Sequence, residues 1–222
     1  MRDFLMASCV PALWIISVFH IIFMVLLFRK YAKTKNILFL LSGILTFGLF
    51  YDAAILALGS VMQEGALLMG LSRMRYVLHG MLIPLIFALC AYALNAKGFW
   101  LKAVWVLTGI LMALGIADGS VRTIGVETVA GVCRYASVTA PAWAETVNSL
   151  LTFGTVIPLM IVGIVVWVKQ KTPHLFLAGF LMFAFSGLGA ACLELMFYIS
   201  MYGEVLMALF FFLYALKKEK MA

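Results

Sequence analysis

Three ionisable side chains lie inside long apolar stretches of the sequence, where a charge is costly. Asp52, His79 and Glu194 are each flanked by hydrophobic residues on both sides. At a rise of 1.5 Å per helical residue, Asp52 and Glu194 would lie roughly 12 Å from the outer ends of their helices. An ionisable residue at such depth costs about 2.5–3.5 kcal/mol on insertion scales, so it usually faces the bundle interior and has a partner. These residues are therefore the candidates for acid–base chemistry.

The spacing of polar residues predicts that they share one site. Arg75 and His79 are four residues apart and lie on one helix face, as do Glu194 and Tyr198. Asp52 lies on a face with Gly48, and this stripe allows a neighbouring helix to approach. The pattern indicates an outward-facing polar pocket. Its predicted ligand-binding residues are Tyr51, Asp52, Arg75, His79, Glu194 and Tyr198.

Three functions are compatible with such a pocket. The first is a receptor-like or transport-related protein that binds a small polar ligand or a lipid headgroup. The second is an intramembrane lipid-modifying enzyme in which His79 acts with Asp52 or Glu194 as general acid and base. The third is a structural or accessory protein whose polar residues only fix helix packing. The sequence leaves open whether the protein is an enzyme.

Neither a cofactor nor a metal is expected. A retinal pigment needs a lysine in the middle of a span, and no predicted span has one there. The three histidines are scattered, so the HxxxH-based zinc site of the alkaline ceramidase and adiponectin-receptor hydrolases cannot be built. No CxxC spacing occurs. Cys9 and Cys133 both fall on the predicted outer side, and whether they pair stays open.

Composition identifies an integral membrane protein. Hydrophobic residues make up 66% of the 222 residues and charged residues only 11%, whereas soluble domains carry roughly a quarter charged residues. The expected partner is the lipid bilayer, at the bacterial cytoplasmic membrane. Nucleic-acid binding is excluded despite the net charge of +7, because the basic residues form short clusters between apolar stretches. The oligomeric state is not indicated.

The apolar stretches predict an all-α bundle of seven transmembrane helices that forms a single polytopic domain, residues 1–222. A turn at residues 200–203, ending in Gly203, would separate the last two helices. The loops after the first, third and fifth helices and the C-terminal tail hold eleven of the sixteen cations, including all ten lysines. The positive-inside rule makes this side cytoplasmic, so the N-terminus lies outside and the C-terminus in the cytoplasm. The predicted spans are about 5–28, 37–59, 75–95, 103–117, 146–168, 175–200 and 204–217.

Two outer connections are predicted to have structure of their own. Residues 60–72 are too apolar for a solvated loop and indicate a short interfacial helix. In the 118–145 loop, β-branched residues surround Ala130-Gly131, which favours a small β-hairpin lying over the pocket.

Overall fold

The computed structural model describes residues 2–221, in which helices surround one small β-hairpin. Helices α3 and α4 are halves of one segment, interrupted at Ile83-Pro84 because proline has no N–H to donate to the preceding turn. The elements in chain order are α1 (Arg2–Thr34), α2 (Ile37–Leu58), α3 (Ala66–Leu82), α4 (Leu85–Ala93), α5 (Gly98–Val121), β1 (Thr123–Val129), β2 (Val132–Thr139), α6 (Ala142–Gln170), α7 (His174–Ala190), a 3₁₀ helix (Leu193–Leu195) and α8 (Met196–Glu219).

The architecture is that of a helical membrane protein. Within the described residues, six helical segments are long and apolar enough to cross a membrane: α1, α2, α3 with α4, α5, α6, and the 3₁₀ helix with α8. Helix α7 is also apolar but has only 17 residues, so the predicted count of seven spans depends on whether α7 crosses as well. We call the end of the bundle that carries the strands the hairpin end. The opposite end, where Lys30 pairs with Glu219, is the lysine end.

The predicted break between the last two helices is in the wrong place. Helix α7 ends at Ala190, and α8 runs without interruption through Gly203. Gly203 is buried within α8, where an added Cβ would contact Met182 and Phe185 of α7 at 3.0–3.1 Å. The missing side chain therefore allows close helix packing and does not serve a turn. This shift moves Glu194 out of a helix interior and places Glu204 inside one.

The segment between α2 and α3 also differs from the prediction. Residues 66–72 are the first two turns of α3 and do not form a separate interfacial helix. The connection is reduced to residues 59–65. Helix α3 begins at Ala66, nine residues before the predicted span 75–95, and includes both Arg73 and Arg75.

The predicted β-hairpin is confirmed. Strands β1 and β2 pair antiparallel, and Ala130 and Gly131 form the two-residue turn with positive φ values of 53° and 77°, as tight hairpins require. Val132 is fully buried in an apolar cluster with Cys9 and Leu13 of α1. The hairpin therefore packs on the helix ends. Within the described residues Cys9 and Cys133 are both free thiols.

Arg134 of the hairpin packs against Phe197 of α8. Its guanidinium lies 4.0 Å from the centre of the Phe197 ring and pairs with Glu127 across the strands. Burial lowers the pKa of Arg134, and the Glu127 carboxylate opposes this shift. A cation over an aromatic face gains free energy when it is desolvated, so this contact helps to hold the hairpin on the bundle.

Helices α3 and α5 touch through their backbones. Gly80 and Gly115 face each other so closely that a Cβ on either glycine would overlap the other's carbonyl group. Small residues at such crossings let helices approach in the absence of a hydrophobic driving force. This contact packs α5 against α3 next to the site residues, and Asp118 of α5 lines the same cavity.

Replacing Gly115 by leucine is therefore expected to destabilise the fold, lowering the free energy of unfolding by about 1–3 kcal/mol. Thermal unfolding in detergent measures the effect. Gly109→Leu is the matched control, because a Cβ at Gly109 on the same helix meets nothing within 4 Å. Equal destabilisation by both variants would contradict the packing role of Gly115.

Candidate functional site

Three of the predicted site residues meet between α2 and α3. The Asp52 carboxylate forms an ion pair with Arg75 through Oδ1 (Nε–Oδ1, 3.0 Å) and faces His79 through Oδ2 (Nδ1–Oδ2, 3.2 Å). Asp52 and Arg75 are almost enclosed, whereas 43% of the His79 side chain is exposed. Arg75 and His79 are one helical turn apart, so a single face of α3 presents both groups to Asp52.

Glu204 of α8 occupies the place that was predicted for Glu194. One ligand atom each from Asp52, His79 and Glu204 lies within 4.8 Å of the other two. Glu204 is 3% exposed, and its Oε2 has no hydrogen-bond partner among residues 2–221. A buried polar atom without a partner is unusual in folded proteins. It identifies Glu204 as part of the site.

The prediction that Glu194 converges with Asp52 and His79 was wrong. Glu194 belongs to the 3₁₀ helix at the hairpin end, where it is exposed and pairs with Arg2 at 2.5 Å. It lies outside the apolar interior because α7 has already ended at Ala190. An exposed ion pair of this kind contributes little to stability.

The two predicted tyrosines hold helices together and do not line the cavity beside Asp52 and His79. The Tyr51 hydroxyl donates to the Leu71 carbonyl at 3.2 Å and joins α2 to α3. Tyr198 is fully buried, with its hydroxyl 2.6 Å from Tyr202 and 3.1 Å from Ser8 of α1. Their predicted contact with a ligand has no support in this arrangement, because both hydroxyls are already engaged by the protein.

His20 of α1 is a neighbour that the sequence did not indicate. It is fully buried, it lies beside the Glu204 backbone and near Asp52, and neither ring nitrogen has a hydrogen-bond partner among the described residues. Nothing on its own helix pointed to this position, because the ionisable neighbours come from α2 and α8, which are remote in sequence.

A cavity of about 420 Å³ opens beside this cluster. Asp52, Arg75, His79 and Glu204 form its charged wall, and most of the remaining lining is apolar. Its volume falls in the range of small-molecule sites, which are mostly apolar with a few polar groups that fix orientation. The principal apolar lining residues are Leu49, Ile83, Ile86, Leu151, Met182 and Met207.

A second buried ion pair lies at the hairpin end of the cavity. Arg122 donates to Asp118 at 2.8 Å and to the Ser137 hydroxyl of β2 at 3.2 Å. Arg73 of α3 donates to the backbone carbonyls of Ser120 and Arg122. Arg122 also donates to the Ala144 carbonyl of α6 at 3.5 Å, so these contacts join α3, α5, the hairpin and α6 at this end of the cavity.

The cluster is equipped for proton transfer. A carboxylate that accepts from one imidazole nitrogen sets the tautomer and leaves the other nitrogen for a substrate. Asp52 and His79 have this relation, with Arg75 holding the other carboxylate oxygen. Asp52, His79 and Glu204 also lie close enough together to ligate a divalent cation. The expectation that the protein uses no metal stays a prediction.

No protein-family model matches this chain, and no curated protein matches its sequence. Function is therefore inferred from the geometry and chemistry of the residues themselves.

Proposed function

We propose that this protein is an intramembrane enzyme that acts on a membrane lipid, with His79 and Asp52 as its acid–base pair. The observation that carries the proposal is the 3.2 Å approach of His79 Nδ1 to Asp52 Oδ2 at the wall of a 420 Å³ cavity. With Nδ1 held by the carboxylate, Nε2 can take a proton from a substrate group and return it to a leaving group. Arg75 keeps Asp52 in place during both transfers.

The incomplete pairing of the cluster argues against a purely structural role. A scaffold would be expected to have every buried polar group satisfied and no space beside it. Here Arg75 Nη1 and Glu204 Oε2 lack partners within the described part of the chain, and a cavity adjoins both residues. The groups are arranged to receive a further molecule.

A receptor-like or transport-related binding protein is the second candidate, and the same unpaired donor and acceptor favour it. A carrier would also need a polar path to the lysine end. The core below the cavity is instead built from apolar residues of α2, α4, α7 and α8, such as Leu41, Leu89, Ala178 and Phe211. This favours a one-sided site over a carrier.

The test compares the membrane lipids of cells that lack the protein with cells that make the wild type, Asp52→Asn or His79→Gln. An enzyme is expected to deplete one lipid species and accumulate a related product only in the wild type. A binding protein is expected to copurify with an unaltered ligand and to leave lipid composition unchanged. That second outcome would replace the enzyme proposal by the binding one.

We further propose that α7 is a seventh span, with the N-terminus outside and the C-terminus in the cytoplasm. At 1.5 Å per residue its 17 residues measure about 26 Å, close to the roughly 30 Å hydrocarbon thickness. Crossing by α7 places all ten lysines on one side, as the positive-inside rule requires of a cytoplasmic face. The proposed location is a bacterial cytoplasmic membrane.

Thiol labelling of intact cells checks this orientation. In a background with the four native cysteines replaced, a membrane-impermeant maleimide is expected to label Glu64→Cys and to spare Thr34→Cys. Permeabilised cells should label at both positions, which controls for accessibility. Labelling of residue 34 in intact cells would overturn the topology.

A further inference from the structure

The cavity reaches the surface of the bundle between α6 and α7. Among its lining residues, Thr152 and Phe153 of α6 and Phe183 and Gly187 of α7 are exposed. Phe153 is 55% exposed and Phe183 45%. A side chain added at Gly187 would meet nothing within 4 Å. These residues form a lateral opening on a surface that would face lipid.

The closest glycine contacts between the two helices lie toward the lysine end. An added Cβ at Gly163 of α6 would overlap the Phe176 backbone of α7, and one at Gly179 would overlap Met160. Toward the hairpin end α7 stops at Ala190, whereas α6 begins at Ala142 and is 12 residues longer than α7. The opening therefore lies in the half of the bundle nearer the hairpin.

Access from water is restricted at the hairpin end. Arg73 and Arg122 join α3, α5, the hairpin and α6 above the cavity through hydrogen bonds to backbone carbonyls, Asp118 and Ser137. The Tyr76 hydroxyl accepts from the Ser137 backbone N–H at 2.9 Å and adds another tie between α3 and β2. A molecule dissolved in the bilayer therefore has a more direct path to the site than one dissolved in water.

The charged wall holds one buried acceptor and one buried donor that lack partners among the described residues. Both Asp52 oxygens are already engaged by Arg75 and His79, whereas Glu204 Oε2 is buried and unpartnered among the described residues. Arg75 Nη1 in the same wall is a buried donor without a partner among the described residues, so a ligand hydroxyl could accept from Arg75 while it donates to Glu204. A hydroxyl or amine on the ligand would satisfy Glu204, and an unpaired buried acceptor is costly otherwise.

The size of the cavity limits how much of a lipid it can enclose. The volume of about 420 Å³ lies in the lower part of the range of small-molecule sites, roughly 300–1,000 Å³. That is room for a polar group and part of one hydrocarbon chain, with the remainder of the chain in the lateral opening. A second chain on the same polar group would have to stay outside the cavity.

We infer that the cavity binds a single-chain amphiphile whose polar end carries a hydroxyl or amine donor, taken laterally from the bilayer between α6 and α7. This names the substrate class of the proposed enzyme, and any conversion of the bound amphiphile rests on that proposed function. Glu204 accepts from the polar end, His79 Nε2 faces it, and the chain lies between Phe153 and Phe183.

Photocrosslinking in lipid nanodiscs tests the inference. The probe is a long-chain alkyl amine that carries a diazirine and an alkyne, with a long-chain alcohol bearing the same groups as the second arm. A two-chain phosphatidylcholine with the same diazirine and a short water-soluble amine are the controls. Peptides that contain Phe153 or Phe183 are expected to be labelled by a single-chain probe and by neither control.

Blocking the opening supplies the decisive comparison. Gly187→Trp is expected to reduce labelling about tenfold or more, which corresponds to about 1.4 kcal/mol. Gly109→Trp is the matched control, since that glycine on α5 also faces open space, and it should label like the wild type. Ala190→Trp, which changes another lining residue of α7, replaces Gly187→Trp in the comparison if that variant does not fold.

The outcomes separate this inference from the enzyme proposal. Photolabelling reports binding alone, whereas the comparison of membrane lipids reports conversion. Labelling that is equal in the wild type and in folded Gly187→Trp and Ala190→Trp variants would overturn lateral uptake. Labelling by the two-chain lipid to the same extent would overturn the single-chain class. Normal labelling without any change in membrane lipids would leave the inference standing and reject the enzyme.

Discussion

Replacing His79 by glutamine is expected to slow turnover of the lipid substrate by about a hundredfold to ten-thousandfold, the usual contribution of a positioned acid–base group. Glutamine keeps the approximate size and a hydrogen bond to Asp52 but cannot exchange a proton near neutral pH. The substrate is the species that the lipid comparison finds depleted by the wild type. The measurement is the rate at which purified protein in nanodiscs converts it.

The Asp52 variant distinguishes orientation from proton transfer. Asp52→Asn should also reduce turnover strongly, because an amide no longer selects the tautomer with its proton on Nδ1. His174→Gln is the control, since His174 begins α7 at the lysine end and takes no part in lining the cavity. Full activity in His79→Gln would reject the acid–base pair even if lipid binding were retained.

Replacing Arg75 by methionine should have the largest effect on stability, lowering the free energy of unfolding by about 3–5 kcal/mol. The variant leaves the Asp52 carboxylate buried without its ion-pair partner, and Glu204 lies close by. The desolvation penalty of the remaining carboxylate is then no longer offset. Unfolding in mixed micelles measures the loss.

A double variant tests that explanation. Arg75→Met combined with Asp52→Asn should recover most of the lost stability, because the double variant no longer has a buried carboxylate at position 52 without an ion-pair partner. Arg2→Met is the control. It breaks the ion pair with Glu194, in which the Arg2 side chain is 66% exposed. The free energy of unfolding should fall by less than about 1 kcal/mol. Equal losses for Arg75→Met and Arg2→Met would contradict the buried-pair argument.

The meeting of Asp52, Arg75 and His79 could be expected from sequence because two local rules were sufficient. Arg75 and His79 are four residues apart on one helix, and Asp52 lies at a matching depth on the preceding one. Consecutive antiparallel helices pack side by side, so groups at equal depth can meet. The hairpin was predictable for a similar reason, since Ala130-Gly131 between β-branched residues is a local turn signal.

That Glu204 and not Glu194 lies at the site could not be predicted in this way. From residue 175 to 217 almost every position is apolar, and in a bilayer both faces of a helix can be apolar, so periodicity does not mark the turn. Gly203, one of four glycines in this stretch, suggested a break. The fold uses that glycine for contact between α8 and α7.

The amino-acid sequence alone determined that the chain is helical and suited to a membrane, which residues could carry protons there, and where the hairpin would turn. These properties follow from hydrophobicity, charge cost and local backbone preference. Only the tertiary structure decided that Glu204 and His20 adjoin Asp52, and that the cavity opens between α6 and α7. Those features depend on which helices touch. Because the spans are apolar on all faces, the sequence pattern does not specify these contacts, and single glycines such as Gly80, Gly115 and Gly203 allow the close ones.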